Sequence, residues 1–460
     1  MRFKGTLALL VIFAALGGYV YYSDFYNQEE RQKQEDAKKR LFGGEAQDVT
    51  EITLQYEGAT ITGVRKGENE WQITNPAGLE ADPDAWNQLA TSFVQLQKDQ
   101  VVSTEKTDLA PYGLDKPFAA VNAKLKNGTA QGVLIGTENP KKDFNYARRA
   151  DNDEVFLVAV SEAGSFKKKI DDLRNKTVLD FESDNIDAIR ISAAGKPDIE
   201  MQKSGMDWLI KKPVETAADA GEVSSFLSSI QFSRASAFAE ESIDARAAGI
   251  ENPSAKVTLH DQKAGADRVL AFGKSPETDK YYAKDLSRPA IFILGTEIID
   301  KTRMSLLNWR DKSVVNLGDG GMTAIDEVDI IRGNEKLSLK KAESSDWTLS
   351  DGRKVQQMKI TEMLGTLVAE RALAIDDSPG AAATYGLDKP RVEVVLREKG
   401  KEVATLKFGR DTMNPEGVYL KSTNPGILTV NKDLYAKFNV GAEDLLESQS
   451  GAAAPSSDSK

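Results

Sequence analysis

The sequence predicts an α+β fold: three tandem homologous units, each an antiparallel sheet with two helices, after an N-terminal transmembrane helix. Three observations predict it. Trp71, Trp208 and Trp347 are 137 and 139 residues apart, and Gly113, Gly249 and Gly386 are 136 and 137 apart. Within each interval the hydrophobic period switches between two and 3.6. The first 26 residues carry a single long uncharged run. A fixed internal period sets the architecture before any local assignment. A unit of this length can bury its own core, so the chain reads as a row of domains rather than a thin solenoid.

The elements follow in chain order. Arg2 and Lys4 precede Thr6–Tyr22, 17 residues without a charge. As a helix this run rises about 25 Å, near the lower limit for spanning a bilayer. The membrane anchor is therefore set between Thr6 and Tyr22, within residues 1–26. Tyr19, Tyr21, Tyr22, Phe25 and Tyr26 supply an aromatic belt at the far interface, and the basic residues hold the N-terminus in the cytoplasm. A cleaved signal peptide is the rival reading. The run is longer than a usual signal core, and no small-x-small site precedes a polar mature start, which favours the anchor. Residues 27–47 are charged and read as a stalk. The Ser, Ala and Gly-rich tail, residues 448–460, reads as disordered.

The units are set at 48–183, 184–323 and 324–447. Each opens with strands: Ile52, Leu54 and Tyr56 alternate before Gly58 turns the chain back toward Trp71. An amphipathic helix follows. Its apolar positions are Trp86, Leu89, Ala90 and Phe93; then Val223, Phe226, Leu227 and Ile230; then Ile360, Met363, Leu364 and Leu367. All three sets run i, i+3, i+4, i+7, which places four side chains on one stripe. Asp82 is positioned to cap the first helix and Pro83 suits its first turn.

Next comes the most repetitive signal in the chain. Tyr112-Gly113-Leu114-Asp115-Lys116-Pro117 recurs unchanged as Tyr385-Gly386-Leu387-Asp388-Lys389-Pro390, and the middle copy reads Ala248-Gly249-Ile250-Glu251-Asn252-Pro253. Its Gly allows positive φ, its Asp closes a turn, and its Pro opens an extended segment. Period two resumes at Ala119, Val121, Ala123 and Leu125, at Ala255, Val257 and Leu259, and at Val392, Val394 and Leu396. The returning strand is expected to end at Gly136, Gly273 or Gly409. A further hairpin carries Tyr146, Tyr282 and Tyr419. A second helix is expected to start at the N-caps Ser161, Thr296 and Asn431.

Residues kept in every copy serve first what the copies share, the fold. Among the turn residues, Asp115, Lys116, Asp388 and Lys389 are the candidates for exposed loop groups with a further role.

Chemistry is sparse. The formal charge of −11 lacks the cationic surface that nucleic-acid binding needs. The chain has no cysteine, which excludes disulfides, thiolate nucleophiles and Cys-ligated metal. His260 is the single histidine, on a strand face opposite Val257 and Leu259, so a catalytic triad or a zinc site has little to build on. No Gly-x-Ser-x-Gly elbow surrounds any serine. Gly273-Lys274-Ser275 resembles the end of a phosphate-binding loop, but the earlier glycine is Arg268, and the equivalents Gly136-Thr137-Glu138 and Gly409-Arg410-Asp411 identify a hairpin end. Gly318-Asp319-Gly320-Gly321 reads as a linker between units two and three. No catalytic, cofactor or metal residue is assigned.

The turn, the hairpin glycine, the N-terminal anchor and the tandem units together resemble the bacterial domain-of-unknown-function family numbered 4340, over nearly all of residues 48–447. The middle copy departs at the Tyr, Asp and Lys positions, which argues against one chemical role shared by all three. The family has no established activity, and its members are often encoded beside ABC-type transporter components, including ones linked to gliding motility. The resemblance implies an envelope protein; with the anchor, the expectation is a single-pass protein of the bacterial inner membrane, its bulk periplasmic or extracytoplasmic. The expectation is a non-enzymatic accessory or interaction component of an ABC-type export system. Its partners would be the inner membrane and ABC-type transporter subunits or other envelope proteins, without cofactor or nucleic acid. The alternatives are an envelope ligand-binding module for glycan, lipid or peptide, and a hydrolase using carboxylates alone.

Overall fold

The computed structural model describes residues 13, 15–21, 39–104, 108–318, 320–342, 344 and 346–447. Residues 15–21 are helical. No helix among the described residues is long and apolar enough to cross a membrane. Thr6 and Tyr22, which bound the expected anchor, lie outside the described residues, as do most of the stalk and the tail. The chain divides into two compact bodies at Lys176/Thr177. The first holds copy one and the second holds copies two and three.

Copy one is an antiparallel sheet of eight strands. In spatial order they are Trp71–Asn75, Ala59–Arg65, Val49–Tyr56, Ala119–Leu125, Ala130–Glu138, Phe144–Arg149, Val155–Ala159 and Val101–Ser103. Copies two and three repeat this order, with Thr216–Ala217 as an extra edge strand in copy two. The last strand in each order follows the long helix in sequence. The helix Pro83–Gln95 thus leaves one edge of the sheet and delivers the chain to the opposite edge. Its buried residues Trp86, Leu89, Ala90, Phe93 and Val94 share one core with Ile52, Leu54, Val121 and Ile135. The corresponding helices, Ala220–Gln231 and Gln357–Ala369, bury the stripes expected of them. Each large side chain removed from water there contributes about 1.5–3 kcal/mol. Asp82 accepts from the Asp84 and Ala85 amides at 3.1 and 3.2 Å, so the cap and Pro83 act as expected.

The repeated tryptophans are core residues. Trp71 stacks on Trp86 with ring centroids 5.4 Å apart, and Trp86 donates Nε1–H to the Leu173 carbonyl at 3.0 Å. Trp208 and Trp347 are buried in the second and third cores.

Four expectations need correction. Packing draws the unit borders earlier than the periodic signal did. Leu41 and Phe42, read as stalk, are buried in the first core, while Val178, Leu179 and Phe181 belong to the second. Val314, Val315 and Leu317 belong to the third core, so the glycine-rich run from Gly318 lies inside copy three. Each leading segment is tied down by a polar side chain: Arg149 donates to the Leu41 carbonyl at 3.2 Å, Arg288 to that of Thr177 at 2.5 Å, and Asn424 to that of Ser313.

The second correction concerns the hairpin glycines. Gly136 and Gly409 do not end their strands, which run on to Glu138 and Met413. They sit at register shifts, between Ile135 and Glu138 and between Phe408 and Asp411, where a bulge lets another backbone approach. Third, the second helix of copy one, Val160–Gly164, begins before Ser161; Thr296 and Asn431 do stand at the N-caps of Glu297–Thr302 and Lys432–Phe438, but neither makes a side-chain cap bond. Asn431 instead donates its Nδ2 to Glu370 at 2.9 Å. Fourth, each copy carries one long helix and several short ones rather than two helices.

Within the second body, copies two and three meet through a buried ion pair. Arg310, 3% exposed, donates Nη1 to both carboxylate oxygens of Asp377 at 2.7 and 2.8 Å. Its Nη2 lies 3.4 Å from the Thr216 hydroxyl.

Candidate functional site

The repeated turn folds the same way three times. Gly113, Gly249 and Gly386 have φ of 65°, 77° and 70°, the left-handed region that glycine adopts without strain. The turn presses on the hairpin glycine. A Cβ on Gly136 would stand 2.1 Å from the Tyr112 carbonyl oxygen; Gly273 and Gly409 meet the Ala248 and Tyr385 carbonyls at 2.0 and 2.1 Å. Tyr112 packs edge-on against Tyr146 at 4.9 Å, as Tyr385 does against Tyr419 at 5.0 Å. Tyr385 also donates its hydroxyl to Asp376 at 2.6 Å, and that bond to a carboxylate raises the phenol's pKa. In copy two Ala248 takes the tyrosine place and packs with Ile250, Ala271 and Tyr282. The turn's charged groups, Asp115, Lys116, Asp388 and Lys389, are exposed, and Pro117, Pro253 and Pro390 are half-buried.

At this end of the sheet the copies diverge. The carbonyl of the hairpin glycine needs a donor in each, and each copy supplies a different one. Asn145 Nδ2 serves Gly136 at 3.0 Å, Ser254 Oγ serves Gly273 at 3.1 Å, and Arg391 Nε serves Gly409 at 2.6 Å. Arg391 does more: its Nη2 pairs with Asp411 at 2.7 Å and its guanidinium lies 4.1 Å from the Tyr435 ring centroid. In copy two the cation is Arg303, which donates to the Tyr281 hydroxyl at 3.2 Å and lies over that ring.

Copy one has Phe118 where copy three has Arg391, and Glu138 where copy three has Asp411. A cleft of about 860 Å³ lies here, lined among others by Tyr56, Glu57, Phe118, Glu138, Asn145 and Lys167. Asn145 is 2% exposed. Its amide nitrogen is engaged, but its Oδ1 finds no donor. A buried acceptor without a partner costs about 1–3 kcal/mol. Among the described residues no cation pairs with Glu138. Lys167 Nζ stands 5.1 Å from the Phe118 ring centroid. On the hairpin beside the cleft, Glu57 pairs with Lys169 at 3.0 Å, and that bond together with one from Tyr56 lowers its pKa.

Copy two has a cleft of about 350 Å³ at the same place, but Arg246, Glu251, Asn252 and Lys274 line it. The aromatic wall is therefore not repeated. Elsewhere, His260 is half-buried and bonds Asp267 at 3.0 Å through Nδ1. Lys274 belongs to the hairpin, its amide donating to the Ala248 carbonyl at 2.7 Å. Among the described residues no group of three or more His, Asp or Glu side chains is placed to hold a metal ion.

Three overlapping segments, residues 71–248, 208–374 and 347–450, match the family described as Domain of unknown function (DUF4340). The chain belongs to this family. The overlaps reflect the internal repeat: the matches begin at Trp71, Trp208 and Trp347, the residues that set the period. No curated protein matches the chain. Reading one sequence in three aligned rows was the signal that could have found the divergent positions, Phe118/Ser254/Arg391 and Asn145/Tyr281/Val418. Register alone placed them side by side.

Proposed function

We propose that this member of DUF4340 is a non-enzymatic, membrane-anchored envelope protein that presents its α+β units to another envelope component. The family resemblance points to a subunit of an ABC-type exporter. The observation that carries the reading is the contrast at the turn end of the sheets. The repeated Trp, Gly and Tyr residues are engaged in packing, while the side chains serving the hairpin carbonyl differ in every copy. A constant framework with a variable exposed end suits recognition rather than one repeated chemistry. Phe13, Leu16 and Val20, in the uncharged N-terminal run, are exposed apolar side chains, which suits insertion in a bilayer.

The ligand-binding alternative draws on the two clefts beside the turn. Their unlike linings count against one ligand bound repeatedly along the chain. A carboxylate-only hydrolase is the remaining alternative, and panels of glycan, ester and peptide substrates would expose its turnover. Affinity purification from mildly solubilised membranes at native expression tests the main reading. Co-recovery of a defined envelope protein supports it, and recovery of the chain alone contradicts it.

A further inference from the structure

The third copy shows what the first lacks. In copy three the hairpin carboxylate Asp411 is neutralised by Arg391, whose guanidinium also takes the Gly409 carbonyl and covers an aromatic ring. In copy one the equivalent carboxylate, Glu138, has no such partner, the Gly136 carbonyl is already served by Asn145, and Phe118 leaves the space open. One acceptor, the Glu138 carboxylate, waits at the cleft wall, and two aromatic side chains, Tyr56 and Phe118, form another part of its lining. A guanidinium matches this set: it offers several N–H donors in one plane, carries the opposite charge and stacks on aromatic faces.

We infer that this cleft receives an arginine side chain from a partner protein, its guanidinium meeting Glu138 as that of Arg391 meets Asp411 in copy three. The inference rests on the interaction reading above and names the chemistry of the partner. Lys167 limits the affinity, since its ammonium also borders the cleft. A partner arginine is therefore held by geometry and charge-assisted hydrogen bonds more than by net field.

The test uses the full chain in detergent micelles, titrated with N-acetyl-arginine methylamide and its neutral isostere N-acetyl-citrulline methylamide. The arginine probe is expected to bind about tenfold more tightly or better, as charge-assisted bonds to a carboxylate require. Phe118→Arg gives copy one the residue that copy three already accommodates, and should abolish the preference by filling the cleft from within. Glu138→Gln, an exposed change that does not threaten folding, should abolish it too, and Lys167→Met should strengthen binding. In cells, Phe118→Arg should cut partner recovery about tenfold at unchanged chain level, the scale expected when one central anchoring contact is lost. Equal binding of the two probes, or selective binding that survives Phe118→Arg, overturns the assignment. So does partner recovery that Phe118→Arg leaves intact. A wild-type chain that discriminates the probes yet recovers no partner contradicts the interaction reading while supporting the guanidinium seat.

Discussion

Asn145 donates its side-chain amide to the carbonyl of Gly136 at 3.0 Å, the bond that Arg391 makes to Gly409 in copy three. One backbone requirement is met by a short side chain in the first case and a long one in the second. In copy one a cleft of about 860 Å³ lies beside this bond.

The contact beneath that bond is the first point to test. Gly136→Ala drives a methyl to 2.1 Å from the Tyr112 carbonyl, backbone that cannot swing aside. The expected cost is about 3 kcal/mol or more, read as a lower urea midpoint for the body that contains copy one. Gly128→Ala meets nothing within 4 Å and strains only its φ of 82°; it should cost about 1–2 kcal/mol.

Asn145→Leu removes the donor to Gly136 and fills part of the same space. Two groups change together, the orphan Oδ1 disappearing as the carbonyl loses its partner, so the net loss of stability should be about 1 kcal/mol. Asn145→Asp keeps the shape and replaces the donor with a charge, and should cost more. Denaturation of both variants in one urea series ranks them.

Arg310 and Asp377 join copies two and three. Removing the Asp377 carboxylate leaves a guanidinium at 3% exposure without its main partner. Asp377→Ala should therefore cost about 3 kcal/mol, the lower end for breaking a buried pair because Asp377 keeps some solvent contact. The double variant Arg310→Met/Asp377→Leu should recover much of that loss, as apolar replacement of such pairs does. A double-mutant cycle by chemical denaturation reads the coupling.

Asp329 gives the fold a pH dependence of known sign. Burial opposes its ionisation, but bonds from Ser338 at 2.6 Å, Arg397 at 2.5 Å and Lys336 at 3.0 Å outweigh burial and lower its pKa. A carboxylate more acidic when folded contributes stability above its unfolded pKa, about 4, and loses it as pH falls through the lower folded value. Urea midpoints for copy three should fall in that window. In Asp329→Asn this part of the fall should be absent, at the cost of lower stability at neutral pH.

Much of this architecture was legible in the sequence, for physical reasons. Tryptophans and glycines repeat at fixed offsets because each copy solves the same packing and close-approach problems. The stripe at Trp86, Leu89, Ala90 and Phe93 must face a core, and Asp82 before Pro83 is a local cap. Less legible were elements whose pairing is set at long range. Val101–Ser103, Ala237–Phe238 and Ala374–Asp376 are strands of only two or three residues that exist because the helix delivers them to a sheet edge. Leu41 and Phe42 followed a charged stretch and looked like stalk, but a core formed later in the chain buries them. Gly136 and Gly409 looked like strand ends because glycine breaks the alternation, but they mark bulges under a carbonyl, while Gly273 does follow the end of its strand at Phe272. The cleft is lined by side chains from separate strands and loops, Tyr56, Phe118, Glu138 and Lys167 among them, and no period encodes that.

Photocrosslinking in intact cells, from a benzoylphenylalanine placed at Phe118 of the full chain, tests the central claim most directly. The account predicts one discrete adduct with an envelope protein, mapped to a segment that carries an arginine and lost when Glu138 is also changed to Gln. Absence of any protein adduct, with the chain present in membranes at its normal level, would contradict it.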